Sequence, residues 1–134
     1  MNIGGLRIAL WAAAFFNLGA GILFAFASSL GHLVGMPLPV PRVYGVFIAM
    51  FIILFAGAYA WMACSAHIDR PMLALAALGK AAAVALAIVF YSLGELGPRA
   101  LVAASGDLLL AVLFAWWLGV GGARRYGVHP RPPR

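Results

Sequence analysis

The chain has 134 residues and is 66% hydrophobic but only 9% charged, whereas soluble domains average about 45–50% apolar and about 25% charged. So little charge cannot cover a surface that faces water, and the composition points to a single-domain integral membrane protein. The net charge of +6 does not signal nucleic acid, because the basic residues stand at the edges of apolar stretches and in the tail rather than on one aromatic-laced face. Membrane topology and anionic lipid headgroups account for them better.

The first apolar stretch, about residues 8–29, follows Arg7. Its basic start and the Ala25-Phe26-Ala27 triplet imitate a signal peptide, but the run is longer than a signal core of about 7–15 residues, so a true span is expected. Leu30 to Pro41 contains Pro37, Pro39 and Pro41. Alternating prolines predict an extended, non-helical connection.

The second span, about 43–64, is entered by Arg42 and carries Tyr44, Tyr59 and Trp61 near its ends, where aromatic belts form. Its Gly45, Ala49, Ala56, Gly57 and Ala60 offer small surfaces for close helix approach. Ser65 to Arg70 is a tight loop, and Pro71 suits a first helical turn. The third span, about 72–94, and the fourth, about 100–119, are separated by a short turn through Glu95, Gly97, Pro98 and Arg99. Trp116-Trp117 reads as an interface anchor, and Gly121-Gly122 as a helix stop.

The expected fold is all-α: an antiparallel up-down four-helix transmembrane bundle over residues 1–122, with a basic Pro/Arg-rich tail, 123–134. No internal repeat between the two halves stands out. Arg7, Arg70, Arg124, Arg125, Arg131 and Arg134 fall on the side of the termini and second loop, and Arg42 and Arg99 on the other. The positive-inside rule then places both termini in the cytoplasm of a bacterial inner membrane.

Chemistry centres on one lysine. Lys80 lies near the middle of the third span, where a lysine costs about 2.5–3.5 kcal/mol on insertion scales and should face the bundle interior with a partner. Among the three acidic residues, Asp69, Glu95 and Asp107, only Asp107 lies inside another span. Successive spans should be neighbours, and the two residues differ in depth by about 8 Å, so a direct or water-bridged pair is expected. Asn17, at the middle of the first span, should also seek an interior partner. Tyr91 shares the face of Lys80 three turns on, and Arg42 reaches toward Asp107 or Glu95. Asn17, Arg42, Lys80, Tyr91 and Asp107 are therefore the candidates for ligand binding or proton handling.

No catalytic residue is assigned, because no nucleophile–base pair or paired carboxylates can be found. No metal or other cofactor is expected, since His32, His67 and His129 lie at unrelated spacings. With Cys64 as the single cysteine, an internal disulfide and a Cys-x-x-Cys motif are excluded, and with them a four-span thiol oxidoreductase.

Phe16-Asn17, Arg42-x-x-Gly45, Gly57-x-Tyr59, Arg70-Pro71, Gly79-Lys80 and Gly106-Asp107 occur in an order and spacing that resembles small bacterial four-span membrane proteins of the DoxX-like type. The resemblance covers about Arg7 to Gly119. It implies a four-helix bundle in the inner membrane and no particular activity. The chain departs from small multidrug transporters of similar size in having no glutamate in its first span.

The function expected is that of a non-catalytic accessory or lipophile-binding membrane protein. The alternative is a small proton-coupled transporter using Asp107 and Lys80. The partners expected are the bilayer, anionic headgroups at the basic tail, and a second copy or a larger membrane complex.

Overall fold

The computed structural model describes residues 2–37 and 41–123, with side chains as far as Gly119. Most of the tail, 124–134, and Pro39 of the proline-rich connection lie outside the described residues.

Asn2 opens the first helix, α1 (Ile3–Ala25), by accepting a hydrogen bond from the Gly5 amide at 2.8 Å. Such a side-chain cap satisfies one of the unpaired amides of a first turn, and it starts the helix five residues before the apolar run. The helix ends at Phe26, whose backbone leaves the helical region at φ −111° and ψ 35°.

The first half of the following connection, up to Val34, corrects the expectation of an extended path. Ala27–Leu30 forms a single turn, α2, and Gly31–Val34 a 3-10 turn, ended by Gly35 at φ 69°. The prolines begin only at Pro37, so the residues before it keep their amide donors. The Met36 amide, for example, donates to the Gly31 carbonyl at 3.0 Å.

α3 (Arg42–Cys64) starts directly after Pro41. α4 (Arg70–Ser92) is capped by Asp69, which accepts from the Met72 amide at 3.0 Å, and has Pro71 in its first turn. Gly94 ends it in the left-handed region at φ 78°. The Gly94 amide donates to Tyr91 and the Glu95 amide to Phe90, at 3.0 and 2.9 Å. That pair of bonds is the Schellman arrangement, whose left-handed residue is most easily a glycine, with no Cβ to strain.

α5 (Pro98–Ala123) runs on through Gly121 and Gly122. The expected stop is therefore absent: glycine inside a helix costs about 1 kcal/mol relative to alanine but does not bar it.

The architecture is an all-α helical bundle. Its four long helices are long and apolar enough to cross a membrane. Each of α1, α3 and α4 has 23 residues, or about 35 Å at 1.5 Å per residue, enough for a hydrocarbon core of about 30 Å.

α1 packs most closely on α3, and α4 on α5; α1 also touches α5, whereas α3 and α4 share little surface. The closest approach uses glycine. A Cβ on Gly21 would stand 2.6 Å from Cγ1 of Ile53, and one on Gly45 only 2.8 Å from the Phe24 carbonyl oxygen. Helices in lipid gain little from burying apolar groups, so close backbone contact is what holds them together.

The interior cluster of Leu6, Leu10, Met62, Leu73 and Phe114 is fully buried. Large apolar residues such as Phe15, Phe47, Leu54, Val102 and Trp116 point outward, as lipid-facing side chains do.

Candidate functional site

Each long helix carries a buried stripe at three- and four-residue spacing, the period of one helical face. On α4 the stripe is Leu73, Ala76, Lys80 and Val84. Lys80 is thus carried inward by its register and is only 4% exposed. On α5 Asp107 lies one helical turn before the buried Leu110 and Ala111 and two turns before the buried Phe114. Asn17 lies on α1 between the buried Ala13 and Gly21.

These stripes converge on the lysine amine. Lys80 Nζ donates to Asp107 Oδ1 at 2.5 Å and to Asn17 Oδ1 at 3.0 Å. Asn17 Nδ2 in turn donates to the Ile52 carbonyl of α3 at 3.5 Å. Two aromatic faces complete the surroundings, with Nζ 5.2 Å from the centre of the Phe16 ring and 5.3 Å from that of Tyr59. Attraction between an amine cation and an aromatic face contributes about 0.5–2 kcal/mol, more as water is excluded. All four long helices therefore contribute a group that touches this one amine or the residue bound to it.

The two partners are not equally enclosed. The Asp107 side chain is 21% exposed against 4% for Lys80. Nζ spends two of its three donors on Asn17 and Asp107, while Asp107 Oδ2 makes no hydrogen bond among the described residues.

Of the five candidates from the sequence, Asn17, Lys80 and Asp107 come together. Tyr91 is 45% exposed in the last turn of α4, about 16 Å along the helix from Lys80. Arg42 is exposed at the start of α3, beside the end of α1. Neither makes an ion pair or a side-chain hydrogen bond among the described residues.

Two further residues enclose the amine that the sequence does not single out for this role. Tyr59, expected in the interfacial belt because it stands near a span end, is only 3% exposed and packs against Phe114 with ring centres 6.1 Å apart. A signal for this exists: Ala49, Ile52, Ala56, Tyr59 and Ala63 share one face at alternating spacings of three and four. Phe16 stands out in the sequence only as part of a motif. Its ring occupies the space that a Cβ on Gly106 would need, with Cε2 2.5 Å from that point.

Arginines close one end of the bundle. Arg7 Nη2 donates to the Ser65 carbonyl at 2.9 Å, at the end of α3. Arg70 Nη2 donates to the Leu118 carbonyl of α5 at 2.6 Å, and its guanidinium lies 5.6 Å from the Trp117 ring centre. Arg7 thereby places a cation at the end of α3, where the last carbonyls are unpaired and the helix dipole is negative, while the Arg70 contact falls five residues before the end of α5.

Two surface hollows lie elsewhere. One of about 500 Å³ is lined by Gly57, Ala60, Trp61, Cys64 and Ser65, and one of about 150 Å³ by residues around Phe24, Ser28, Arg42 and Gly45. Neither reaches Lys80 or Asp107. Among the described residues, no three His, Cys, Asp or Glu side chains come together as metal ligands.

No family model, curated protein or solved structure matches the chain.

Proposed function

We propose that this is a non-catalytic accessory or lipophile-binding protein of the bacterial inner membrane, of the DoxX-like type. In this reading it is an up-down antiparallel bundle with both termini in the cytoplasm, and the Lys80–Asp107 pair is an internal clamp. The observation that carries this reading is the enclosure of the lysine amine. The amine is held by Asp107, Asn17 and two aromatic rings drawn from three other helices, and neither hollow opens onto it. A clamp needs that closure. A bound solute would need space beside the pair.

One observation favours a second reading, a small proton-coupled transporter. Asp107 is the more exposed partner, and among the described residues its second carboxylate oxygen has no hydrogen-bond donor. A carboxylate approached from that side can exchange a proton while its other oxygen still faces the lysine.

The two readings separate in liposomes that contain the purified protein and a pH-sensitive dye. With a pH gradient imposed and cationic or lipophilic solutes added, the clamp reading expects no solute-dependent proton flux. It also expects a lipid or a partner protein to remain bound through purification in mild detergent. Solute-dependent flux that disappears in Asp107→Asn overturns it in favour of transport.

A further inference from the structure

Asn17 and Lys80, hydrogen-bonded to each other, stand 63 residues apart in the chain. The same separation relates Arg7 to Arg70, Leu10 to Leu73, Ala13 to Ala76 and Gly21 to Val84. Leu10, Leu73, Ala13, Ala76, Gly21 and Val84 are all buried. Alanines recur by chance in a chain of this composition. An arginine followed ten positions later by the one polar residue at a span's middle does not.

We propose that the chain is an internal duplication: two equivalent two-helix units, α1 with α3 and α4 with α5, related by a quasi-twofold axis along the bundle that passes between Asn17 and Lys80. The ion pair then occupies one of two equivalent positions, and Asn17 with the Ile52 carbonyl is its uncharged copy.

Four independent contacts carry this. The first is the choice of close pairs, since α1 packs on α3 as α4 packs on α5. The second is the arginine at the start of each unit, which donates to a carbonyl in the closing part of the unit's second helix, Arg7 to Ser65 at the cap of α3 and Arg70 to Leu118, five residues before the end of α5. The third is the polar residue of each first helix, which donates across to its own second helix, Asn17 to Ile52 and Lys80 to Asp107. Ile52 and Asp107 are as far apart in the chain as Tyr59 and Phe114.

The fourth is self-complementarity. A twofold axis brings a residue against its own mate, and both Asn17 with Lys80 and Tyr59 with Phe114 are such contacts. Equivalence also requires both units to begin at the same face of the membrane, which two membrane crossings per unit provide.

The symmetry is broken in the connections, where the α2 and 3-10 turns between α1 and α3 have no counterpart between α4 and α5, and at one helix contact. Phe16 of α1 lies on Gly106 of α5, whereas at Gly79, the mate of Phe16, a Cβ would meet nothing within 4 Å. That difference closes the α1–α5 side and leaves α3 and α4 with little shared surface. The inference holds whether the ion pair is a clamp or a proton site.

Two exchanges in the full-length protein test it. The first moves the pair to the other unit, with Asn17→Lys, Ile52→Asp, Lys80→Asn and Asp107→Ile together. The second exchanges the ring pair, with Tyr59→Phe and Phe114→Tyr. Equivalence predicts that each melts within about 3 °C of the native protein in detergent. It also predicts that the transposed variant melts above the one carrying only Lys80→Asn and Asp107→Ile. Loss of folding in the transposed variant, or a larger drop for the ring exchange, overturns the equivalence.

Discussion

The ring of Phe16 fills the space beside Gly106, so that α1 and α5 meet with an aromatic ring against bare backbone. The same ring lies 5.2 Å from Lys80 Nζ, which couples the fit of two helices to the enclosure of the amine. Glycine here is a matter of room, as it is at Gly21 and Gly45, while a Cβ on Gly57 or Gly79 would meet nothing within 4 Å.

Replacing these glycines by alanine should therefore give a ranked series. Gly45→Ala should cost the most, because the obstructing atom is the Phe24 carbonyl oxygen and backbone cannot rotate away; overpacking of this kind costs about 1–3 kcal/mol. Gly106→Ala and Gly21→Ala should cost less, since a ring or an isoleucine can shift. Gly57→Ala and Gly79→Ala should be neutral or stabilising by about 0.5–1 kcal/mol, because alanine loses less entropy in a helix. Melting temperatures in one detergent provide the comparison, and a Gly79→Ala loss as large as that of Gly45→Ala would contradict it.

The Lys80–Asp107 bond gives a double-mutant cycle. Lys80→Met leaves Asp107 without its cation, and Asp107→Asn leaves a caged amine with only neutral acceptors. Truncating one side of a buried pair costs about 3–5 kcal/mol, much of it from the group left behind. Each single variant should lose stability and the double variant should recover part of that loss. Asn17→Leu should also destabilise, by about 1–2 kcal/mol, since it removes one acceptor from the amine and one donor from the Ile52 carbonyl. Strictly additive losses for Lys80→Met and Asp107→Asn would mean that the bond contributes no coupling.

Much of this site is legible in the amino-acid sequence. A lone lysine in a span demands a partner, and with Asp107 the one acidic residue inside another span, the pairing follows by elimination. Asn17 is legible for a similar reason, because a mid-span amide also needs a partner. Tyr91 shows the limit of helical period, which says which face a residue shares but not how far that face stays covered. Tyr59 shows the limit of position along a span: it stands near an end, yet the alanines around it mark the buried side. The fit of Phe16 on Gly106 is beyond reach, because it depends on the rotation of two helices against each other. The arginine contacts are hidden too, since the sequence shows Arg7 and Arg70 only as charges that set orientation.

Those arginines lead to a prediction about the end of the bundle. Arg70 joins the start of α4 to the last third of α5 through the Leu118 carbonyl and the Trp117 ring. Arg70→Lys keeps the charge but loses the planar group that can donate to the carbonyl and stack on the indole together. It should lower stability by about 1 kcal/mol, and Arg70→Ala by about 2 kcal/mol. Trp117→Leu in the Arg70→Lys background should cost less than in the native protein. Equal costs in the two backgrounds would show that the stacking contributes nothing.

Orientation in the membrane provides the last prediction. Arg7 and Arg70 are both engaged at one end of the bundle by helix carbonyls, and Arg124, Arg125, Arg131 and Arg134 follow α5 in the sequence. Arg42 and Arg99 belong to the starts of α3 and α5. The basic excess near short loops sets topology during insertion, so the end with six arginines is expected in the cytoplasm. A reporter fused after Arg134 that is active only in the periplasm should be silent, and one placed in the 38–40 connection should be active. Replacing the four tail arginines by glutamine leaves two arginines on each side, and because both Arg7 and Arg70 remain, the fraction correctly oriented should fall without inverting completely. Periplasmic activity of the native fusion at Arg134 would overturn the orientation while leaving the helix packing and the Lys80–Asp107 contact as they stand.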